Sequence, residues 1–325
     1  MTRERSVPGE SVGSVVAARP ELGGAAATSS FSLPTGAPDG LPAGLGETRI
    51  GPCTFRWGER TFVMGILNVT PDSFSGDGHL ARSSDDGRGA GVAAAVAQAR
   101  AMAESGADLL DVGGESTRPG HEAVDAAQEA ERVVPVIRAV RDALPDMPLT
   151  VDTTKPAVAA AALDAGADAI NDVWGVAPDD ALSRVAAERG VPIVLMHNRA
   201  EPRYANLLAE ILADLQRAIE RTLAAGVPWA NVLVDPGFGF GKTPEHNLAL
   251  LRELGSLRVL GRPIVLGTSR KSTLGKVLDL PAEERVEATL ATTALGIAAG
   301  VDIVRVHDVR ENVRAARMAD AVTRR

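Results

Sequence analysis

From Thr61 onward the chain repeats one pattern: a short apolar run closed by a polar residue, followed by an Ala-rich amphipathic stretch. Runs of this length are too short for buried helices and suit strands covered on both faces, while the stretches between them have helical length. The runs fall at 62–67, 109–112, 149–152, 169–171, 193–196, 232–235, 264–266 and 303–306. Strands that alternate with helices pair in parallel, because each parallel connection needs a crossover long enough to hold a helix. Eight such units in about 260 residues predict an α/β fold, a closed (β/α)8 TIM barrel forming a single domain. An open Rossmann-like sheet is the runner-up. A faint internal repeat supports the count: Ser105-Gly106-Ala107-Asp108, Ala165-Gly166-Ala167-Asp168 and Ala299-Gly300-Val301-Asp302 each join a helical stretch to a strand. Glycine there can take the left-handed conformation that ends a helix.

Composition enters at two points. Hydrophobic residues make up 45% of the 325-residue chain but aromatics only 3%, so the interior must be built from Ala, Val, Leu and Ile. Of the first 50 residues, 19 are Gly, Pro or Ser, and no strand or helix period persists there. Residues 1–50 are therefore expected to be a disordered extension and 51–325 the barrel domain. The formal charge of −8 speaks against a nucleic-acid partner, since binding to a phosphate backbone needs clustered Lys and Arg. No run has the length of a membrane span, no signal-peptide core follows Arg3 and Arg5, and the single cysteine, Cys53, forms no intrachain disulfide. A cytoplasmic protein is expected.

In a parallel barrel, reactive groups gather where strands end and βα loops begin. The strand ends supply Asn68, Asp111, Asp152, Asn171, His197, Asp235, Ser269 with Lys271, and Arg305 with His307. Any one of these could be a helix cap or a satisfied polar group. Asp152 and Asp235 would share the mouth, where carboxylates suit an amidine-like edge with two parallel N–H donors. They could equally ligate a metal or act as general acid and base. Asn171 adds a donor and an acceptor. Arg305 and His307 alternate on the last strand, so both side chains leave the same face, in the region where barrels hold phosphate. The stretch Pro236-Gly237-Phe238-Gly239-Phe240-Gly241-Lys242-Thr243 misses the phosphate-binding G-x-x-x-x-G-K-T loop by its first glycine, and reads as a tight loop that lets backbone approach a flat ligand. Two longer Gly-rich stretches, 70–78 and 113–120, read as mobile lids.

Two of these stretches carry a family resemblance. Met64-Gly65-Ile66-Leu67-Asn68-Val69-Thr70-Pro71-Asp72-Ser73-Phe74-Ser75 and Asp111-Val112-Gly113-Gly114-Glu115-Ser116-Thr117-Arg118-Pro119-Gly120 resemble the two signatures of the dihydropteroate synthases. Shorter matches follow in order: Val151-Asp152-Thr153, Ile170-Asn171-Asp172, Leu195-Met196-His197, 235–242, Ser269-Arg270-Lys271-Ser272 and Arg305-Val306-His307-Asp308. The resemblance implies a transferase of folate biosynthesis that joins a dihydropterin diphosphate to 4-aminobenzoate and releases pyrophosphate. It implies that Asp152, Asn171, Asp235 and Lys271 hold the pterin, and that Asn68, Arg305 and His307 handle the diphosphate and Mg²⁺, with Asn68 on the metal. It further implies that Phe74, Thr117, Arg118 and Ser272 form the 4-aminobenzoate subsite, that Lys271, Arg305 and His307 act in catalysis, and that the enzyme is a homodimer. A pterin-binding methyltransferase barrel and a non-catalytic pterin-binding paralogue are the alternatives.

Overall fold

The computed structural model describes residues 44–69, 85–115 and 124–324, with backbone only at 85–88. Eight parallel strands run β3 (Phe62–Asn68), β4 (Leu109–Gly113), β5 (Leu149–Asp152), β6 (Ala169–Asp172), β7 (Ile193–Met196), β8 (Val232–Asp235), β9 (Val265–Leu266) and β10 (Ile303–Val306). Neighbours in sequence are neighbours in the sheet, and β10 pairs with both β3 and β9. Only β9 is short. The ring closes beside it, where Val234 pairs with Ile264 and the Val234 amide donates to Pro263 O at 3.0 Å. That closure excludes the open sheet. Each apolar run expected to be a strand is one.

The helices α1 (Asp85–Glu104), α2 (Ala126–Ala143), α3 (Pro156–Asp164), α4 (Ala181–Arg189), α5 (Leu207–Ala224), α6 (Pro244–Arg252), α7 (Ser272–Leu278), α8 (Val286–Ala298) and α9 (Val309–Thr323) alternate with the strands. Alternation along each strand divides the apolar residues into two cores. One set, including Leu110, Val112, Val151, Ile170, Ile193, Leu195, Val234 and Val304, packs outward against helix residues such as Ile137, Ile211, Leu215 and Ile219. The other set, Phe62, Met64, Leu109, Ala169, Val194, Leu233, Val265 and Ile303, fills the barrel interior. Two residues further along the inward face the side chains become polar: Asp111 follows Leu109, Asn171 follows Ala169, Asp235 follows Leu233 and Arg305 follows Ile303.

The internal repeat has a structural meaning. Its glycines, Gly106, Gly166 and Gly300, sit at φ +96°, +112° and +95°, the left-handed turn expected after a helix. Its aspartates fasten the bottom of the barrel. Asp108 accepts from the Val63 amide at 2.8 Å, Asp168 from Leu149 N at 2.8 Å and Asp302 from Ile264 N at 3.0 Å. Each carboxylate thereby satisfies an amide where a neighbouring strand begins.

The expected boundary at residue 50 moves. Residues 1–43 lie outside the described residues, but β1 (Glu47–Ile50) and β2 (Cys53–Arg56) form an antiparallel hairpin. Ile50, Phe55 and Trp57 are buried in the same core as Phe62 and Met64, so the hairpin closes the barrel floor. Thr48 donates to Ala230 O at 2.5 Å and accepts from the Trp57 indole at 2.9 Å. The barrel domain thus includes residues expected in the extension. Two buried positions alternating with two exposed ones are too short a period to stand out beside glycines and prolines.

Candidate active site

The polar ends of the inward faces converge on a fully buried carboxylate, Asp111. It accepts hydrogen bonds from the Thr150 hydroxyl, from Asn171 Nδ2 at 2.9 Å and from Arg305 Nε at 2.6 Å. Three donors from β5, β6 and β10 satisfy an ion that the interior would otherwise expel. The consequence is orientation: with its amide nitrogen on Asp111, Asn171 keeps its carbonyl oxygen for another donor. Arg305 Nη2 continues to Asp152 Oδ2 at 2.7 Å. Asp152 Oδ1 is buried and has no partner. Asp152 and Asn171 lie directly opposite each other in the β5–β6 pairing, and Gly113 on β4 faces Asp152 from the other side.

Asp235 comes from the end of β8 and accepts from the Gly237 amide at 2.7 Å. Burial raises its carboxyl above the ordinary carboxylate range, against the pull of nearby Lys271. Lys271 stands at the N-cap of α7, where its ammonium donates to Phe238 O and lies 4.3 Å from the Phe240 ring centroid. Burial draws it down to about 7, with Asp235 opposing. Burial likewise pushes Asp152 up to about 7, with Arg305 opposing and Asp111 adding to the rise. His307 shares Ser269 Oγ through its Nδ1 at 3.0 Å and its backbone amide at 3.1 Å. The neighbouring Arg270 pairs with Asp308 at 2.5 Å, which ties the loop after β9 to the loop after β10.

The structure therefore brings together Asp152, Asn171, Asp235, Lys271 and Arg305, with His307 beside Ser269 at the β9–β10 edge. Arg305 lies with the carboxylates instead of apart from them, so it would have to leave Asp152 to meet an anion nearer His307. Asn68 ends β3, paired with Gly113 of β4. Ser272 is exposed at the start of α7. Phe74, Thr117 and Arg118, with most of both expected lids, lie outside the described residues. In the sequence Asp111 is visible as a strand end without a role; the signal for one is its place two residues beyond Leu109 on the inward face.

The loop after β8 differs from expectation. Gly237, at φ +68°, packs against the His197 carbonyl, where any Cβ would overlap it, and Gly241 packs in the same way on Arg199. A Cβ on Gly239 would come 2.7 Å from Lys271 Cδ. The close approach these glycines permit is to the protein itself, and it leaves Lys271 room to reach Phe238.

This fold defines a barrel enzyme whose mouth gathers buried carboxylates and an amide beside the cationic groups Lys271 and Arg305. Residues 64–307 match the family model described as pterin binding enzyme. The dihydropteroate synthase of Clostridium beijerinckii is 49% identical over 278 residues, which covers 85% of this chain and 100% of that one. That of Bacillus subtilis is 48% identical over 271 residues, 83% of this chain and 92% of its own. Among solved structures, the Clostridium difficile dihydropteroate synthase crystallised with pteroic acid superposes with a TM-score of 0.77 at 46% identity, covering 83% of this chain and 100% of that one. The Xanthomonas albilineans dihydropteroate synthase with 4-aminobenzoic acid gives 0.77 at 41% identity, covering 85% and 97%. The chain belongs to the pterin-binding enzyme family, within the dihydropteroate synthases, and is a transferase.

Proposed function

We propose that the barrel mouth condenses 6-hydroxymethyl-7,8-dihydropterin diphosphate with 4-aminobenzoate, giving 7,8-dihydropteroate and pyrophosphate. The carrying observation is Asp152 Oδ1, a buried acceptor with no partner, on the residue paired in register with Asn171, whose amide nitrogen is already engaged by Asp111. A buried carboxylate oxygen left unsatisfied is costly, and the 2-amino edge of a pterin supplies the N–H donors that would relieve it. In this reading Asp152, Asn171, Asp235 and Lys271 hold the pterin. Arg305 and His307 bind the diphosphate, and Phe74, Thr117, Arg118 and Ser272 bind 4-aminobenzoate.

In the reaction the C–O bond at the exocyclic methylene breaks, and the arylamine nitrogen donates its lone pair to that carbon to form the C–N bond. Pyrophosphate takes the bonding electrons and the amine nitrogen then loses one proton. Arg305 and His307 stabilise charge growing on the leaving group, and the carboxylates stabilise the electron-poor pterin. An aniline is nucleophilic when neutral, so no strong base is required. Among the described residues no three His, Cys, Asp or Glu side chains group to hold a metal. Mg²⁺ commonly takes one or two protein oxygens and completes its shell with phosphate and water, so the Asn68 amide fits a site finished by the substrate. Bound there, Mg²⁺ would neutralise diphosphate charge.

A coupled pyrophosphate-release assay tests the reading: release should require both substrates and match dihydropteroate mole for mole. Release without 4-aminobenzoate, or none at all, would overturn it. Asn68, proposed for Mg²⁺ and the diphosphate, ends the strand that leads into the first Gly-rich stretch, and Phe74, Thr117 and Arg118, proposed for the arylamine, fall on that stretch and the second. Calorimetry should accordingly show 4-aminobenzoate binding more tightly with pyrophosphate and Mg²⁺ present, by the factor with which it tightens pyrophosphate in return. Equal affinities in both conditions would argue against a shared subsite. We also propose a homodimer in the cytoplasm. Leu295 on α8 and Met318 on α9 are 62% and 67% exposed on helices that pack together, and light scattering would report the mass. No helix among the described residues is long and apolar enough to cross a membrane.

A further inference from the structure

Behind the pterin carboxylates lies a second polar cluster that the proposed reaction does not use. His197 follows β7 and is fully buried. Its Nε2 meets Asp214 Oδ2 of α5 at 3.1 Å, and its Nδ1 meets Lys242 Nζ at 3.0 Å. Lys242 Nζ also donates to Gly237 O at 3.0 Å and to Phe240 O at 3.1 Å. Asp214 is held in turn by Arg199 at 2.7 Å and paired with Arg217. The charged groups around Lys242 are Asp235 at the end of β8, Lys271 at the start of α7, Arg199 after β7 and Asp214 on α5.

Hydrogen-bond geometry and burial together assign the protons along this chain. A carboxylate can only accept, so the His197 nitrogen facing Asp214 must carry the proton. His197 stays neutral, because burial first and the Lys242 charge second hold its basicity down to about 3. Its Nδ1 is then a bare lone pair and needs a donor. Lys242 is that donor, and as an ammonium it has one proton for each of its three acceptors, His197 Nδ1, Gly237 O and Phe240 O. Burial lowers Lys242 to about 7, with Asp235 opposing, and of its three acceptors Gly237 O also accepts from the Phe240 amide at 3.1 Å.

The two carbonyls it holds bracket the stretch that aims the pterin site. Within that bracket the Gly237 amide donates to Asp235, Phe238 O accepts from Lys271, and the Phe240 ring lies under the Lys271 ammonium. We infer that Lys242 is a positioning residue for pterin recognition: through the relay Asp214, His197, Lys242 it locks the Gly237–Phe240 loop in the shape that presents Asp235 and Lys271 to the substrate. This rests on the proposed pterin reading of the mouth and extends it to groups that touch no substrate.

Two measurements test it. Nitrogen NMR of histidine-labelled enzyme, with His197→Gln used for assignment, should show His197 as the Nε2–H tautomer and uncharged throughout about pH 6 to 8. An Nδ1–H tautomer, or titration to the cation in that range, would overturn the relay, and this readout needs no substrate. Lys242→Met and Lys242→Gln should raise KM for the dihydropterin diphosphate about tenfold or more while KM for 4-aminobenzoate stays within about threefold, the signature of one misaimed subsite. A folded variant of either kind with pterin KM within about twofold of wild type would refute the positioning role. If the wild-type enzyme released no pyrophosphate, the proposed function would fall, while the His197 tautomer would still decide the relay.

Discussion

Asp152 and Lys271 approach the same midpoint from opposite sides, and each makes the folded state sensitive to pH with its own sign. Burial raises Asp152 from 3.8 to about 7, so across that window the native carboxyl keeps a proton that the unfolded chain has lost. Its contribution to stability is present below the ordinary value and declines as pH rises toward 7. Lys271 is depressed from 10.5 to about 7, so its contribution is present at high pH and is lost as pH falls through that window. The two slopes meet near neutrality, where both groups titrate with substrate in reach. Pterin N–H donors select the ionised Asp152, so pterin affinity should climb between about pH 6 and 7, by at most about tenfold per unit, and level off above. Calorimetry should show proton release on binding that disappears in Asp152→Asn; a flat profile in wild type would remove Asp152 from the contact. Asp235→Asn should weaken the pterin by about 1 to 3 kcal/mol, since an amide cannot accept two N–H bonds with full charge, and calorimetry measures that loss directly. Asp111 shows what residue-level reading misses. Its partner Arg305 is 194 positions away, and only barrel closure brings β10 against β3 and within reach of β4. An aspartate in a signature motif is visible in the sequence, but its donors are not.

Elements were the most legible scale, for a physical reason that also marks the limit. A strand buried on both faces must be apolar almost throughout, so each of β3 to β10 announces itself, and the polar residue ending it announces the mouth. The Gly237–Gly241 loop carried the same kind of signal, since three glycines at alternate positions say that something comes close. What comes close could not be read, because His197 and Arg199 follow a different strand and meet the loop only when β7 and β8 pair through hydrogen bonds such as His197 N to Asp235 O at 2.9 Å. Gly237→Ala tests this packing. The new methyl would collide with the His197 carbonyl in a left-handed turn that also disfavours alanine, a strain of about 1 to 3 kcal/mol. The Asp235 hydrogen bond to the Gly237 amide should loosen with it. Thermal unfolding should show the lost stability and calorimetry a weaker pterin. A variant with wild-type melting and affinity would mean the loop is not held as described.

At the scale of the molecule, the barrel has two ends with different chemistry, and each strand contributes to both through the same alternation. Its C-terminal end is polar and carries the candidate site, whereas its N-terminal end is apolar and is stoppered by a hairpin. Ile50, Phe55 and Trp57 enter the floor among Phe62, Met64 and Ile303, with Phe55 and Phe62 rings 4.7 Å apart. Full burial of three such side chains is worth roughly 1.5 to 3 kcal/mol each, a sum comparable with the roughly 5 to 15 kcal/mol by which a domain is stable at all. The hairpin is therefore a structural part of the barrel and not the end of an extension. Two truncations separate those descriptions. Removing residues 1–43, a segment whose composition offers little apolar surface, should change melting temperature and turnover little. Removing residues 1–57 opens the floor and should abolish cooperative unfolding or lower its midpoint steeply. Phe55→Ala gives a graded version, at about 3 to 5 kcal/mol for a large-to-small change in a packed core. Its effect should fall on stability, with KM for both substrates unchanged in the folded fraction, because the floor and the mouth share strands but no side chains. A Phe55→Ala enzyme with wild-type stability would mean that the floor closes without the hairpin.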